Sequence, residues 1–136
     1  MFIEIHELIT HLRAESIASI IRNDETLAYA AIDGAVAEAK GYLSRFNTSA
    51  IFSATRDNRH QLLLIFIKDI AVWHLCNLVN PNIDLKLRKE RYDRAIAWLK
   101  DVQAGIIQPD LPPATGIDIN TGIISYGSNN KNTYEW

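Results

Sequence analysis

The chain has few of the features that mark secreted or redox-active proteins. Cys76 is the single cysteine among 136 residues, which excludes an internal disulfide. Its apolar neighbours favour a buried structural thiol over a nucleophile. No stretch is typical of a signal peptide, because Glu4, His6 and Glu7 directly follow the first three residues. We therefore expect an intracellular protein.

Common motifs for phosphate binding, nucleophilic catalysis and metal binding are also missing. Neither G-x-x-x-x-G-K-[ST], G-x-G-x-x-G nor G-x-S-x-G occurs. His6 and His11 stand one residue too far apart for the zinc pattern H-E-x-x-H, so a helix would place their rings on different faces. The segment from Asp118 to Asn129 starts like a calcium loop, but its glycine and its last residue do not fit. We expect no metal ion and no cofactor.

Charge of one sign is not in large excess, because the formal net charge is −2. The sequence therefore gives no global basic field of the kind that drives nucleic-acid binding. One basic cluster stands out, in which Glu90 and Asp93 alternate with cations at i, i+4 spacing, as is typical of a solvated, salt-bridged helix face. Its functional interpretation is contact with an acidic partner or with DNA phosphates. The cations are Lys86, Arg88, Lys89, Arg91 and Arg94.

The longest apolar run covers residues 60–79 and predicts one central helix. It is too long for a single strand, and apolar residues would cover most of a helix's circumference. Lys68 and Asp69 lie inside it, and each would cost about 2.5–3.5 kcal/mol at a bilayer centre. This cost favours the core helix of a soluble domain over a membrane span.

Helical spacing of apolar residues predicts further helices before and after this run. Short amphipathic helices are expected over residues 4–12 and 14–21, and a long helix over residues 25–46. Residues 47–56 are typical of a loop, and Asp57 is expected to cap the central helix. Gly34 and Gly41 in the long helix indicate close packing of a partner helix, or a kink.

The last long helix is expected to start at Asp84, after a break at Asn80-Pro81-Asn82, and to end before Gly105 as the C′ residue. The predicted fold class is all-α, a small helical bundle around the central helix at about residues 60–79. This helical domain would cover residues 1–105, followed by an extended C-terminal arm over residues 106–136.

The arm contains three of the four prolines and no arginine. Asn120-Thr121-Gly122 allows a β-hairpin within it. Because the arm has little to bury against in its own domain, it is either disordered or ordered by a neighbour. Its apolar anchors for a partner would be Ile106, Ile107, Leu111, Ile123, Ile124, Tyr126, Tyr134 and Trp136.

Asp69 and His74 are an acid and an imidazole within the apolar run, and such a pair can be catalytic. On one helix, an i, i+5 separation points the two side chains apart. The alternative is that Asp69 pairs with a basic residue of a neighbouring helix, or with the surroundings of Lys68, and fixes the packing register. A small enzyme would require both side chains to face one pocket, and we expect no catalysis.

Three segments, taken in order and spacing, resemble one protein family. They are Ala35-x-x-x-Ala39-x-x-Tyr42-Leu43-x-x-Phe46, Asp69-Ile70-Ala71-x-Trp73-x-Leu75 and Arg91-Tyr92-Asp93-x-Ala95-Ile96-x-Trp98-Leu99-x-x-Val102-x-x-Gly105. The chain is similar over residues 2–110 to the phage head–tail connector (adaptor) proteins, in particular the Mu-type branch of small tailed-phage and prophage proteins. Residues 47–59 depart from the family pattern, since members often carry proline there and this chain has none.

The resemblance implies a structural virion protein without catalysis. Copies of an all-α bundle would form a ring beneath the portal protein, twelvefold in number, with non-specific passage of DNA through the centre and a tail-completion protein below. The arm would embrace the portal or the next subunit, and the basic cluster would face the portal or the DNA channel. The location would be the bacterial cytoplasm during assembly and then the virion, without a membrane. The alternative is a helical interaction or regulatory module unrelated to virion assembly.

Overall fold

A computed structural model describes residues 2–11, 25–79 and 85–114 of the chain. The described part is all-α, as predicted. It begins with a 3₁₀ helix over Ile5–Thr10, and a second 3₁₀ helix covers Arg56–Asn58. The α-helices are α1 (Thr26–Tyr42), α2 (Thr48–Ser53), α3 (Gln61–Val79) and α4 (Leu85–Gln103).

Helix α3 is the centre of the bundle, and its bounds confirm the prediction for residues 60–79. Both α1 and α4 pack against it. Leu63, Ile67, Ile70 and Leu75 have no exposed surface, because neighbouring elements cover α3 on several sides. By length and composition alone Gln61–Leu78 could cross a membrane, with a mean hydropathy of 1.4, but 61% of this window is buried inside the bundle.

His60, rather than Asp57, caps the start of α3. The Leu63 N–H donates to His60 Nδ1 at 3.2 Å, the geometry of an N-cap side chain. Asp57 instead lies within the 3₁₀ helix Arg56–Asn58, one turn too early to reach the first N–H groups of α3. The prediction that Asp57 caps the central helix is therefore wrong.

Helix α1 ends at Tyr42, four residues before the predicted end at residue 46. The predicted loop over residues 47–56 is also wrong in part, since it contains α2. Asn47 starts this short helix, because its side chain accepts a hydrogen bond from the Ala50 N–H at 3.1 Å. Ile51 then anchors the helix in the core, with 5% of its surface exposed.

The first helix is a 3₁₀ helix over Ile5–Thr10 rather than an α-helix over residues 4–12. Its start is fixed by the Glu4 N–H, which donates to Glu7 Oε1 at 2.9 Å. Leu8 is fully buried and ties the turn to the core. The predicted helix over residues 14–21, the Asp84 cap and the hairpin around Asn120 lie outside the described residues.

Helix α4 ends as predicted, with Gly105 at C′ and a φ of 82°. The Gly105 N–H donates to Val102 O and the Ile106 N–H to Asp101 O, which is the Schellman pattern. The chain then turns back across the domain. Beyond this turn, the Asn47 N–H donates to Pro112 O at 2.8 Å and the Ala114 N–H to Arg45 O at 3.1 Å.

Gly105 and Gly41 are expected to respond to alanine in opposite directions. Gly105→Ala should lower the free energy of unfolding by about 1 kcal/mol, because alanine is strained at a positive φ. Gly41→Ala should raise it by about 0.5–1 kcal/mol, since an added Cβ meets nothing within 4 Å. At Gly34 the nearest atom would be His74 Cδ2 at 3.9 Å, an ordinary contact. Neither helical glycine is therefore required by close packing, and urea unfolding of Gly105→Ala, Gly41→Ala and Gly34→Ala tests this.

Candidate functional site

The five cations of the predicted basic cluster do not form one continuous free surface. Lys89 Nζ binds Asp93 Oδ1 at 2.6 Å, as the i, i+4 spacing predicts. Arg88 Nη1 donates to the His11 carbonyl oxygen, so this side chain holds the N-terminal segment against α4. Arg94 turns towards α3, where its guanidinium lies over the Phe66 ring. Of the remaining two cations, Lys86 is exposed and Arg91 is half-buried.

Asp69 lies at the centre of a polar group that we call the Asp69 cluster, formed with His11, Lys68, Arg88 and Arg94. Only 1% of the Asp69 side chain is exposed. Its Oδ1 is 3.3 Å from His11 Nε2, and its Oδ2 is 3.6 Å from Arg94 Nη2. The expected pairing with a basic residue of a neighbouring helix is thus confirmed. Neither oxygen accepts a hydrogen bond from the described residues, and burial raises the pKa of Asp69 despite Arg94.

The other buried members of the Asp69 cluster also have shifted pKa values. Burial lowers the pKa of His11 to about 4, and the positive charges of Lys68, Arg91 and Arg88 act in the same direction. Burial lowers the pKa of Lys68 as well, and its Nζ donates to Thr10 Oγ1 at 3.2 Å. His11 is therefore neutral at pH 7, and its contact with Asp69 is not an ion pair under those conditions.

An ion pair connects the N-terminal segment, residues 2–11, to the chain just before α3. Arg59 donates to both carboxylate oxygens of Glu7, at 2.9 and 2.7 Å, and to the Phe2 carbonyl oxygen at 2.8 Å. Hydrogen bonding from Arg59 lowers the pKa of Glu7 to about 2. Residues 2–11 are thus held at two places, by Arg59 at one end and by the Asp69 cluster at the other.

Three helices meet at Glu38, whose carboxylate joins α1 to the other two. Glu38 Oε1 is 2.8 Å from His74 Nε2 on α3, and Glu38 Oε2 accepts a hydrogen bond from the Tyr92 hydroxyl on α4 at 2.6 Å. The Tyr92 ring also stacks against Trp73 at 5.7 Å between centroids. Burial and the hydrogen bond to Glu38 raise the pKa of Tyr92. We call Glu38, His74 and Tyr92 the Glu38 cluster.

Tyr92→Phe is expected to lower the free energy of unfolding by about 1–1.5 kcal/mol, because it removes a charge-assisted hydrogen bond at a partly buried site. Tyr29→Phe is the matched control, since Tyr29 is 41% exposed on α1 and should change stability by less than about 0.5 kcal/mol. Urea unfolding of Tyr92→Phe, Glu38→Gln and the double variant gives the coupling between the two side chains. Additive effects of the two substitutions would contradict the role given to this hydrogen bond.

The structure does not bring the candidate catalytic pair together. Asp69 faces His11 and Arg94, whereas His74 faces Glu38 and Tyr92. Within residues 2–11, 25–79 and 85–114, no group of three or more metal-ligating side chains occurs. The sequence singled out Asp69 and His74 but missed Glu38, which no short motif marks. The only feature of the sequence that could have indicated Glu38 is its position as a carboxylate in a helix rich in alanine.

The apolar candidates of the arm differ in where they lie. Ile106 is 74% exposed at the end of α4. Ile107 and Leu111 are partly buried against the core of their own domain. The remaining candidates lie outside the described residues: Ile123, Ile124, Tyr126, Tyr134 and Trp136.

Further exposed apolar side chains lie on the helices. On α3, Leu62 is 43% and Ile65 42% exposed, and Leu78 near its end is 53% exposed. Single exposed apolar side chains are ordinary on protein surfaces, so these three do not by themselves mark a binding site. The chain matches no family model, no curated protein and no solved structure. Its function therefore has to be inferred from its own residues and their arrangement.

Proposed function

We propose that the chain is a structural subunit of a phage or prophage head–tail connector, joining the portal protein to the tail without catalysis. One observation carries this proposal: the three segments that resemble the connector family lie on, or directly after, three helices that pack together. Most of their apolar positions belong to one common core. The buried residues from these segments are Ala35, Ala39, Leu43, Ile70, Ala71, Leu75, Ala95, Leu99 and Val102.

The resembling positions also include residues with specific polar or backbone roles. Asp69 contacts the N-terminal segment and α4, and Tyr92 binds Glu38 on α1. Gly105, the last matched position, has the positive φ that ends α4. Apolar spacing alone would fit many helices, whereas these residues are needed for this particular arrangement. This agreement supports the connector proposal over an arbitrary helical module.

In the proposed ring, copies of the domain contact one another, the portal protein and a tail-completion protein. Residues 107–114 would be the fixed root of the arm, because Ile107 and Leu111 pack against their own domain. Contact with the portal would therefore start beyond Ala114. Since Lys89 and Arg94 are paired with Asp93 and Asp69, the basic cluster suits a protein contact better than a DNA channel.

Co-sedimentation with portal rings encoded by the same genome tests the proposal. The full chain should sediment with the rings, and a chain ending at Ala114 should bind at least about tenfold more weakly, because it loses the apolar anchors of the arm. Ending at Ala114 rather than Gly105 keeps the hydrogen bonds of Asn47 and Ala114 to the returning segment. A matched pair compares Ile123, Ile124 and Tyr126 changed to serine with Asn129 and Asn130 changed to serine.

The possible outcomes of this experiment separate the two functions under consideration. Equal binding by the full chain and by the chain ending at Ala114 would support the connector role but would assign the portal contact to the helices rather than the arm. Binding by neither, with portal rings that are active in assembly, would overturn the proposal in favour of a helical interaction module. Genes for portal, capsid or tail proteins next to this one would favour the connector independently of the binding result.

A further inference from the structure

An open groove of about 360 Å³ lies beside α1, away from both polar clusters. Its floor includes Phe2 and Phe52, whose rings meet edge to face with centroids 5.0 Å apart. Its rim on α1 is formed by Asp33, Ala37 and Lys40, which are all exposed. We call this the α1 groove. Ile32 and Val36 also line the groove, and such an open, largely apolar lining with two aromatic rings can receive another aromatic side chain.

The charged side chains at the rim indicate which chemical groups a ligand of the α1 groove would carry. Lys40 Nζ lies 5.8 Å from the centroid of the Phe52 ring, so a cation stands at the edge of the aromatic floor. Asp33 is two helical turns earlier, about 10 Å away along the axis. A ligand with an aromatic ring next to a carboxylate would place the ring on the floor and the carboxylate at Lys40. Asp33 could accept a hydrogen bond from an indole N–H.

The chain itself contains a segment with this chemistry. Among the residues outside the described part, an aromatic residue stands next to an acidic one only in Tyr134-Glu135-Trp136. The geometry points to an intramolecular contact: we propose that this segment docks in the α1 groove of its own chain. Trp136 would lie on the aromatic floor, and Glu135 would pair with Lys40.

The length of the connecting chain favours the groove of the same molecule. Ala114 is fixed by its hydrogen bond to Arg45, which follows Lys40 by five residues. The residues between Ala114 and Tyr134 have a root-mean-square span of about 25 Å when flexible. This span gives an effective concentration in the millimolar range. A second copy at micromolar concentration therefore competes poorly with the chain's own segment.

This contact does not rest on the proposed function, since it concerns the free chain. If the chain is also a connector, its partner would have to displace the segment from the groove before the arm could bind elsewhere. The apparent affinity for that partner would then equal the intrinsic affinity multiplied by the fraction of chains in which the groove is empty.

Fluorine NMR of the full chain labelled with 5-fluorotryptophan tests the proposal. Trp73→Phe and Trp98→Phe assign the other two resonances. The Trp136 resonance should differ from that of the free peptide Asn-Thr-Tyr-Glu-Trp, equally at about 20 and about 500 micromolar protein. Ala37→Lys places a long side chain across the groove and should return the resonance to the peptide position. Ala30→Lys, exposed on the same helix outside the groove, should leave it unchanged.

The two other tryptophans report whether each variant remains folded. Trp98 packs on Phe66 and Trp73 on Tyr92, so unchanged resonances show that the bundle persists. Glu135→Gln should shift the Trp136 resonance partly towards the peptide position and, being in the arm, cannot unfold the domain by removing a described contact. A wild-type resonance at the peptide position would overturn the proposal. A displacement that grows with protein concentration would also overturn it, in favour of docking on a second copy.

Discussion

Acidification from pH 7 to pH 4 is expected to destabilise the protein by up to about 3 kcal/mol through His11 alone. Burial holds the pKa of His11 at about 4, whereas the unfolded chain titrates near 6.5. Between these values the unfolded state binds more protons, so stability falls as the pH falls. The difference corresponds to at most about 3 kcal/mol, at about 1.4 kcal/mol per pH unit. This loss of stability should be nearly complete at pH 4, and it should be absent above pH 7.

His11→Gln should remove this part of the pH dependence, because glutamine keeps a hydrogen-bond donor near Asp69 without titrating. The variant should therefore be more stable than the wild type at pH 4. His6→Gln is the matched control, since His6 is exposed on the 3₁₀ helix that ends just before His11, and its curve should run parallel to that of the wild type. Urea unfolding at several pH values measures all three proteins. Parallel curves for wild type and His11→Gln would show that His11 is not buried as described.

The shifted pKa values of Asp69 and Glu7 also contribute to the pH dependence of stability, each with a defined sign. Burial raises the pKa of Asp69, so its protonation restores some stability as the pH falls. Arg59 holds the pKa of Glu7 near 2, below its ordinary 4.5, so the stability from this contact is lost as the pH falls from about 4.5 to about 2. The Glu7–Arg59 contact is the same in wild type and variant. Because Asp69 lies 3.3 Å from His11, the difference between the two curves reports His11 together with its coupling to Asp69, with Lys68, Arg88 and Arg91 as the surrounding charges.

Ile70→Ala is expected to lower the free energy of unfolding by about 3–4 kcal/mol. Ile70 is on the central helix and has no exposed surface, so its truncation removes buried methyl groups and leaves a cavity that the packed neighbours fill only in part. This is a large share of the stability of a typical domain, which is about 5–15 kcal/mol.

Ile65→Ala on the same helix provides the matched comparison. Ile65 is 42% exposed, so the same change of residue should cost less than about 1 kcal/mol. Urea unfolding monitored by circular dichroism gives both values. If the two variants were equally destabilised, α3 would not have the buried and exposed sides described above. Because Ile65→Ala preserves the fold, it also reports whether this exposed side of α3 contributes to partner binding.

The sequence predicted the three long helices from two different signals. The central helix followed from the length of its apolar run, which is too long for one strand, and its core residues include Leu63, Ile67 and Ile70. The two flanking helices followed from the helical spacing of their apolar residues. Helix α2 escaped prediction because six residues are too few to show a period. Its capping residue, Asn47, falls within the predicted loop. A residue type that favours the N-cap position was the only sign of this helix in the sequence.

The polar contacts were less predictable, because they depend on which helices become neighbours. The pairing of Asp69 with a cation of another helix followed from the cost of burying a charge, but its contact with His11 did not. The contacts of Glu38 were even less predictable from the sequence. Its two partners are 36 and 54 residues away, and only the packing of three helices brings them to one carboxylate.

The attachment of residues 2–11 also has a consequence for folding during synthesis. Arg59 binds Glu7 across 52 residues of sequence, and Arg88 binds the His11 carbonyl across 77. Residues 2–11 leave the ribosome before these partners, so they can make the contacts only after most of the described domain has been made. Until then Ile3 and Leu8, both fully buried in the finished domain, remain available for wrong contacts. Residues 2–11 are thus among the last parts of the described domain to reach their final contacts.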